Sequence, residues 1–324
     1  MGIDWQKIWR DKSTEAILLL PLSLLYASGW IIYELIYRLG IKKPSRPHSP
    51  VVCVGNLIAG GAGKTPVTVF VAQTLQQLGR EVVVSVNGYG SPRQDNAHSA
   101  TAGELDAREW GDEAALMRAK LPDVALIVGR DRVKAAQICR DLHPNAVLLL
   151  DDGYQHLPLF KDVTILLDPD DLENRWCMPS GPYREPRGTG RLRATTVVPG
   201  KFRLSSPMVS LKTPEGESPE IETAVNALCA VARPERFIDT LEAHGYKVAN
   251  EKLLPDHDDL RAKRLFLGFD PTLPLVVTEK DWMKLRHRTD LHAWTVLIAQ
   301  YDIQLEPVEG FRSWLKESLD GVKK

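Results

Sequence analysis

This chain of 324 residues has no surplus of charge of either sign. Its 41 basic and 42 acidic residues leave a net charge of −1, so it offers no bulk attraction for nucleic acid. Cysteine is scarce: Cys53, Cys139, Cys177 and Cys229 are scattered without a CxxC pair. That argues against a zinc site or a disulfide framework and suits a reducing cytosol. There is no internal repeat and no long low-complexity segment, and an apolar content of 44% is ordinary for a globular protein with a sizeable core. The length suggests one large or two medium domains.

Charge is also missing locally. Residues 16–33, AILLLPLSLLYASGWIIY, form an uncharged run of 18, the lower limit for spanning a bilayer. No small-residue cleavage site follows it, which makes a secretory signal a poor reading. Basic residues flank both ends (Lys7, Arg10, Lys12; then Arg38, Lys42, Lys43, Arg46), so loop charge sets no orientation. Pro21 and Gly29 are expected to break a single straight helix, and Trp5, Trp9, Trp30 and Tyr33 suit an interfacial belt. The expectation for residues 1–45 is a helical segment lying in or dipping into a membrane surface. A true span and a helix buried against the globular part are the other readings.

The chain's organising stretch follows a linker stiffened by Pro44, Pro47 and Pro50. Residues 51–68 read VVCVGNLIAGGAGKTPVT: a short apolar strand, a glycine-rich loop, Lys-Thr, then a helix from Pro66 to a closing Gly79. A phosphate-binding loop requires this order. Glycines let backbone N–H groups face phosphate oxygens, and the helix N-terminus adds its positive dipole end. The candidate ATP-binding set is Asn56, Gly60, Gly61, Ala62, Gly63, Lys64, Thr65 and Pro66, with Lys64 on the β- and γ-phosphates and Thr65 on Mg²⁺. Ile58 stands where the long form of the motif has glycine, and Ala59 stands where partition ATPases carry a signature lysine.

Further apolar runs at 81–86, 124–128, 147–150, 163–167 and 195–198 alternate with helical stretches, which predicts a mostly parallel sheet flanked by helices. Ligands bind such sheets at the carboxyl ends of the strands. Asp112-Glu113, Asp151-Asp152 and Asp168 fall there, and Asp151-Asp152 after four apolar residues has a Walker B arrangement for holding Mg²⁺. Composition shifts to Ser, Pro, Glu and Lys across 200–222, marking a boundary. The expected domains are therefore 46–205, carrying the phosphate loop, and 206–324, a smaller α/β unit. The smaller unit lacks a second phosphate loop but holds the polar loop Leu254-Pro255-Asp256-His257-Asp258.

Taken together, the blocks VGNLIAGGAGKTP, NGYG, GDEA, GRDRVKAA, DDGYQH, GPYREP, PDHDD and TEKDWMKL, in this order over nearly the whole chain, resemble the tetraacyldisaccharide 4′-kinase family. The resemblance implies transfer of the ATP γ-phosphate to the 4′-hydroxyl of a tetraacylated glucosamine disaccharide 1-phosphate. It implies two α/β domains closing over the site and residence at the cytoplasmic face of the bacterial inner membrane. By motif position it makes Asp112 the general base, His257 its partner and Lys64 the phosphate-loop lysine. Thr65, Glu113, Asp151 and Asp152 become the Mg²⁺ set, and Arg132, Arg184, Glu185 and Gln155 the substrate contacts. A lipid substrate and a membrane surface are the expected partners, with no nucleic acid and no obligate protein.

Three departures stand out. The family's S-R-G-Y-G is Ser85-Val86-Asn87-Gly88-Tyr89-Gly90 here, without the arginine; GDEP is GDEA; and G-I-x-x-P is Val231-Ala232-Arg233-Pro234. Two other classes share part of the pattern. A partition- or switch-type ATPase lacks a reason for the apolar segment and the His-containing second domain. A soluble small-molecule kinase or dethiobiotin-synthetase-like ligase leaves residues 1–45 unexplained.

Overall fold

The computed structural model describes residues 5–10, 12–60, 63–219, 224–256 and 258–322. Its strands are, in chain order, β1 (Val51–Asn56), β2 (Val82–Val86), β3 (His98–Ser99), β4 (Ala125–Val128), β5 (Val147–Asp151), β6 (Val163–Leu167) and β7 (Thr196–Val198), then β8 (Arg203–Leu204), β9 (Met208–Lys212), β10 (Val225–Cys229), β11 (Val248–Leu253), β12 (Leu275–Thr278), β13 (Val296–Asp302) and β14 (Leu305–Glu306). Among the described residues, β1 to β7 form a seven-stranded sheet in the order β3-β4-β2-β5-β1-β6-β7, parallel except at the β3 edge. β9 to β13 form a five-stranded sheet in the order β11-β10-β12-β13-β9, parallel except at β9.

The central strands of the first sheet are apolar on both faces because both faces are covered. Alternation divides them. Val52 and Val54 of β1 enter one core, and Val51 and Cys53 the other. The short helix α1 (Trp5–Arg10), α2 (Thr14–Leu18) and α3 (Leu20–Arg38) precede the sheet. The first core is covered by α4 (Lys64–Gln77), α5 (Ala107–Trp110) and α6 (Asp112–Lys120), and the second by α7 (Arg132–Leu142). α8 (Arg187–Leu192) leads into β7, and α9 (Pro234–Ala243) and α10 (Glu279–Leu285) flank the second sheet.

The last helix, α11 (Val308–Asp320), does not belong with the second sheet. Phe311, Leu315 and Leu319 are buried in the first core, where Phe311 meets Phe70 of α4 at 5.6 Å and Phe202 at 5.2 Å between ring centroids. The smaller unit therefore does not run unbroken from 206 to 324. It is inserted between β8 and β14, which pair antiparallel where the chain leaves the larger unit and returns.

The apolar run is not one helix: α2 ends at Leu18 and α3 begins at Leu20, the break expected near Pro21, but α3 then runs unbroken through Gly29, contrary to the second expected break. Pro21 sits in the first turn, where its missing N–H has no helical partner to lose. The helix is inverted relative to an ordinary surface helix. Its buried residues are Ser23 and Glu34, while Leu22, Leu24, Leu25, Ile31, Ile32 and Leu35 are exposed. Polar groups make the dock: the Ser23 hydroxyl donates to the Cys177 carbonyl at 2.7 Å and the Tyr26 hydroxyl to the Arg184 carbonyl at 2.7 Å. By length and composition α3 could cross a membrane.

Replacing Phe311 removes the ring that joins α11 to the phosphate-loop helix. Phe311→Ala is expected to lower unfolding free energy by about 3–5 kcal/mol, read as a shifted urea midpoint. An unchanged midpoint would show that α11 is dispensable to the core.

Candidate active site

β1 and α4 are joined by the glycine loop. Gly63, at φ 73°, turns the chain in the left-handed region so that α4 starts directly at Lys64. No acidic side chain occupies the first turn of α4, so its bare N–H groups and dipole face the cleft unopposed. Asn56 ends β1 fully buried; its side-chain amide donates to the Ile58 carbonyl at 2.9 Å, and its carbonyl oxygen accepts from Lys64 Nζ at 3.2 Å.

β5 delivers the acidic pair. Asp151 is buried, accepting from the Thr68 hydroxyl at 2.8 Å. Burial, reinforced by the neighbouring Glu113 carboxylate, raises its pKa to about 7. Asp152 turns into the left-handed region at φ 54°, a conformation aspartate tolerates better than most residues. Its carboxylate takes both oxygens' contacts from Arg184 Nη1, at 2.9 and 3.0 Å, and lies 3.6 Å from Lys64 Nζ. Burial alone would raise its pKa, but the charges of Lys64 and Arg184 outweigh it and hold the carboxyl below its ordinary value.

The second unit supplies the opposite wall. At the start of α6, Asp112 lies 3.1 Å from Lys284 Nζ and 3.8 Å from Lys280 Nζ. Lys280 also approaches Glu113 at 4.0 Å and Asp256 at 3.6 Å. Burial works against the Lys280 charge, but these carboxylates prevail and raise its pKa. Between the walls lies a cleft of about 1060 Å³, lined by Lys64, Thr65, Glu113, Asp151, Asp152 and Arg184 on one side and by Asp256, Lys280 and Asp302 on the other.

Most of the residues expected from sequence converge here. Gly60, Gly63, Lys64, Thr65 and Pro66 line the cleft, and Asn56 holds Lys64 from behind. Gly61, Ala62 and His257 lie outside the described residues. Asp112 is covered by the two lysines rather than open to the cleft, with its carboxylate accepting from the Glu113 N–H at 2.9 Å.

Three substrate assignments need correction. Arg132 does not face the cleft. It is buried, donating to the Ser85 hydroxyl at 2.8 Å and the Asp151 carbonyl at 2.7 Å, so it braces the end of β5. Glu185 is fully buried against Arg193. Gln155 donates to Glu185 at 2.9 Å and to the Asn56 carbonyl at 2.8 Å. Arg184 does line the cleft. Sequence reading missed Lys280 and Lys284. Their signal was lysine at i and i+4 on one short helix, a spacing that puts both on one face.

Thr65, Glu113, Asp151 and Asp152 offer only oxygen donors, the chemistry a hard Mg²⁺ ion takes. Among the described residues no three carboxylate, imidazole or thiolate groups form a cage.

A glycine loop on a helix N-terminus, a lysine and hydroxyl behind it and a buried acidic strand end define a P-loop nucleotide-binding protein of the kinase type. A family model described as LpxK, tetraacyldisaccharide-1-P 4′-kinase, matches residues 15–320. The tetraacyldisaccharide 4′-kinase of Delftia acidovorans is 35% identical over 331 residues, covering 98% of this chain and 94% of that protein. The same-named protein of Shewanella amazonensis is 32% identical over 336 residues, covering 93% and 91%. The crystal structure of LpxK from Aquifex aeolicus in complex with ATP superimposes with a TM-score of 0.77 at 26% identity, covering 94% of this chain and 99% of that one. The chain belongs to the tetraacyldisaccharide 4′-kinase family, whose members are ATP-dependent kinases.

The raised pKa of Asp151 has a sign that can be tested. Its folded value, about 7, lies above its ordinary 3.8, so the folded state binds the proton more tightly. Through this group, stability of the ligand-free protein is full below the lower value and falls as pH rises towards the upper one. Asp151→Asn is expected to flatten that fall, seen by comparing urea midpoints at about pH 5 and about pH 8. An equally steep fall in the variant would place the titration elsewhere.

Proposed function

We propose that this chain phosphorylates the 4′-hydroxyl of tetraacyldisaccharide 1-phosphate with ATP, a step of lipid A biosynthesis, at the cytoplasmic face of the bacterial inner membrane. The observation that carries the reading is one cleft with Lys64 and Glu113 on one wall and Lys280 on the other, where Lys280 reaches Asp112, buried beside Glu113 at the start of α6.

Phosphoryl transfer depends on positioning and charge neutralisation more than on covalent chemistry. Lys64 and the N–H groups at the start of α4 hold the β- and γ-phosphates. Thr65, Asp152 and Glu113 hold Mg²⁺, with Asp151 behind them. Held by these residues, the ion would supply positive charge to offset the negative charge that develops on the transferring phosphoryl group. Asp112 accepts the proton of the sugar hydroxyl, and His257 orients it. In a loose transition state, aiming that hydroxyl matters more than removing its proton early. Lys280, drawn in by Asp112, Glu113 and Asp256, ties the second unit to this corner. Arg184 steadies Asp152 and exposes its guanidinium to the substrate side of the cleft.

The acceptor carries four acyl chains and stays with the bilayer. The exposed leucines and isoleucines of α3 give the enzyme a matching seat, lying in the lipid surface while the polar edge of the helix holds the catalytic unit. Lys42, Lys43 and Arg46, just beyond, attract anionic headgroups.

The test is incubation with γ-labelled ATP, Mg²⁺ and tetraacyldisaccharide 1-phosphate in detergent micelles. Label is expected on the lipid and lost with Lys64→Ala. Asp112→Ala is expected to reduce kcat by roughly 10²–10⁴-fold with ATP affinity kept. ATP hydrolysis without labelled lipid would replace this reading with a switch-type ATPase.

A further inference from the structure

α3 turns one stripe inward, with Tyr26 and Trp30 half-buried and Glu34 buried, spaced i, i+4, i+8 along one face. Apolar anchoring does not explain this stripe. The helix leaves its leucines outside and buries a carboxylate that is 4% exposed. Glu34 is held by charge rather than by hydrogen bonds: it forms ion pairs with Arg38 at 2.6 Å and with Arg193 Nη1 at 3.0 Å, while Glu34 Oε1 and Arg193 Nη1 have no hydrogen-bond partner among the described residues.

Arg193 is a bridge. Its other terminal nitrogen donates to Glu185 at 2.5 Å, and its guanidinium lies 5.1 Å from the centroid of the Tyr154 ring. Glu185 accepts from Gln155, Gln155 donates to the Asn56 carbonyl, and the Asn56 side chain accepts from Lys64. A second line starts from the same stripe. Trp30 donates to the Tyr26 hydroxyl at 2.9 Å, Tyr26 to the Arg184 carbonyl, and Arg184 to Asp152, which lies beside Lys64. Both lines end on the phosphate-loop lysine, one through each of its two partners.

We infer that Glu34 is a positioning residue for the phosphate loop: seated in α3, it fixes Arg193 and, through Glu185, Gln155 and Asn56, the place of the Lys64 ammonium. This rests on the kinase reading above and extends it, making the helix that meets the lipid also the far support of the nucleotide grip. Removing Glu34 frees Arg193 to turn wholly to Glu185. Gln155 then loses a fixed acceptor, and Asn56 no longer holds Lys64 in one position.

The discriminating measurement is the Kd of a non-hydrolysable ATP analogue, taken without lipid, beside co-sedimentation with anionic phospholipid vesicles. Glu34→Gln is expected to weaken nucleotide binding by about 3- to 30-fold while vesicle binding is kept. Arg193→Lys, which keeps charge but not the two-pronged bridge, should weaken it similarly, and the double variant should be no worse than either alone. Ile32→Ser, on the outward face, should show the converse: weaker vesicle binding at unchanged nucleotide affinity. A separate thermal melt of Glu34→Gln identifies simple misfolding, and Arg193→Lys then carries the test. Wild-type nucleotide affinity in either bridge variant, or fully additive losses, would overturn the proposal alone. Failure of the unaltered protein to bind the analogue would overturn the kinase reading and this proposal with it.

Discussion

The carboxylate of Asp152 is shared by two cations, Lys64 and Arg184, and much of the site hangs on that sharing. Lys64 belongs to the loop after β1, Asp152 to the end of β5 and Arg184 to the segment that also holds α3. One anion therefore ties three stretches far apart in sequence. The left-handed turn at Asp152 points its carboxylate back towards the lysine, and Arg132 braces the backbone just before it from below. A phosphate entering between Lys64 and Arg184 meets a positive pair already arranged, with part of its orientation cost met in advance.

The two units meet along α6 and α10 through charges of alternating sense. Asp112 faces Lys284 and Lys280 at one end, and Lys120 faces Glu279 at 2.5 Å at the other. Arg286 adds a donor to the Leu105 carbonyl at 2.7 Å and an ion pair with Glu104. Because the proposed base is itself part of this seam, the sugar hydroxyl must compete with lysine for it. Chemistry at Asp112 is thereby coupled to how firmly the units grip each other.

Much of the architecture was legible because β1, β5 and β6 are buried on both faces and read as unbroken apolar runs. The phosphate loop and the acidic pair were legible because backbone geometry and phosphate chemistry dictate residue types at fixed spacing. β11 was missed for the opposite reason: on the sheet's edge, VANEKL alternates with polar residues and carries no apolar run. β9 lies in the Ser- and Lys-rich stretch that read as a linker. Pro21 marked the break between α2 and α3, whereas Gly29 misled because a lone glycine costs a helix only about 1 kcal/mol and does not end it. Arg132 misled because sequence places an arginine at the right edge of the sheet without saying whether its side chain points out or folds beneath. The i, i+4 spacing of Lys280 and Lys284 put them on one face but did not mark them as site residues, because their role depends on Asp112, a residue of the other unit.

The return of α11 to the first core bears on how the chain is made. β1, α4 and the phosphate loop emerge from the ribosome early, yet Phe70 gains its aromatic cover only after the whole second sheet has been translated. Through that interval a half-roofed nucleotide domain and the apolar-faced α3 are both present on the nascent chain. On the proposed reading of α3 as the lipid-facing helix, that seat is complete before the catalytic unit is.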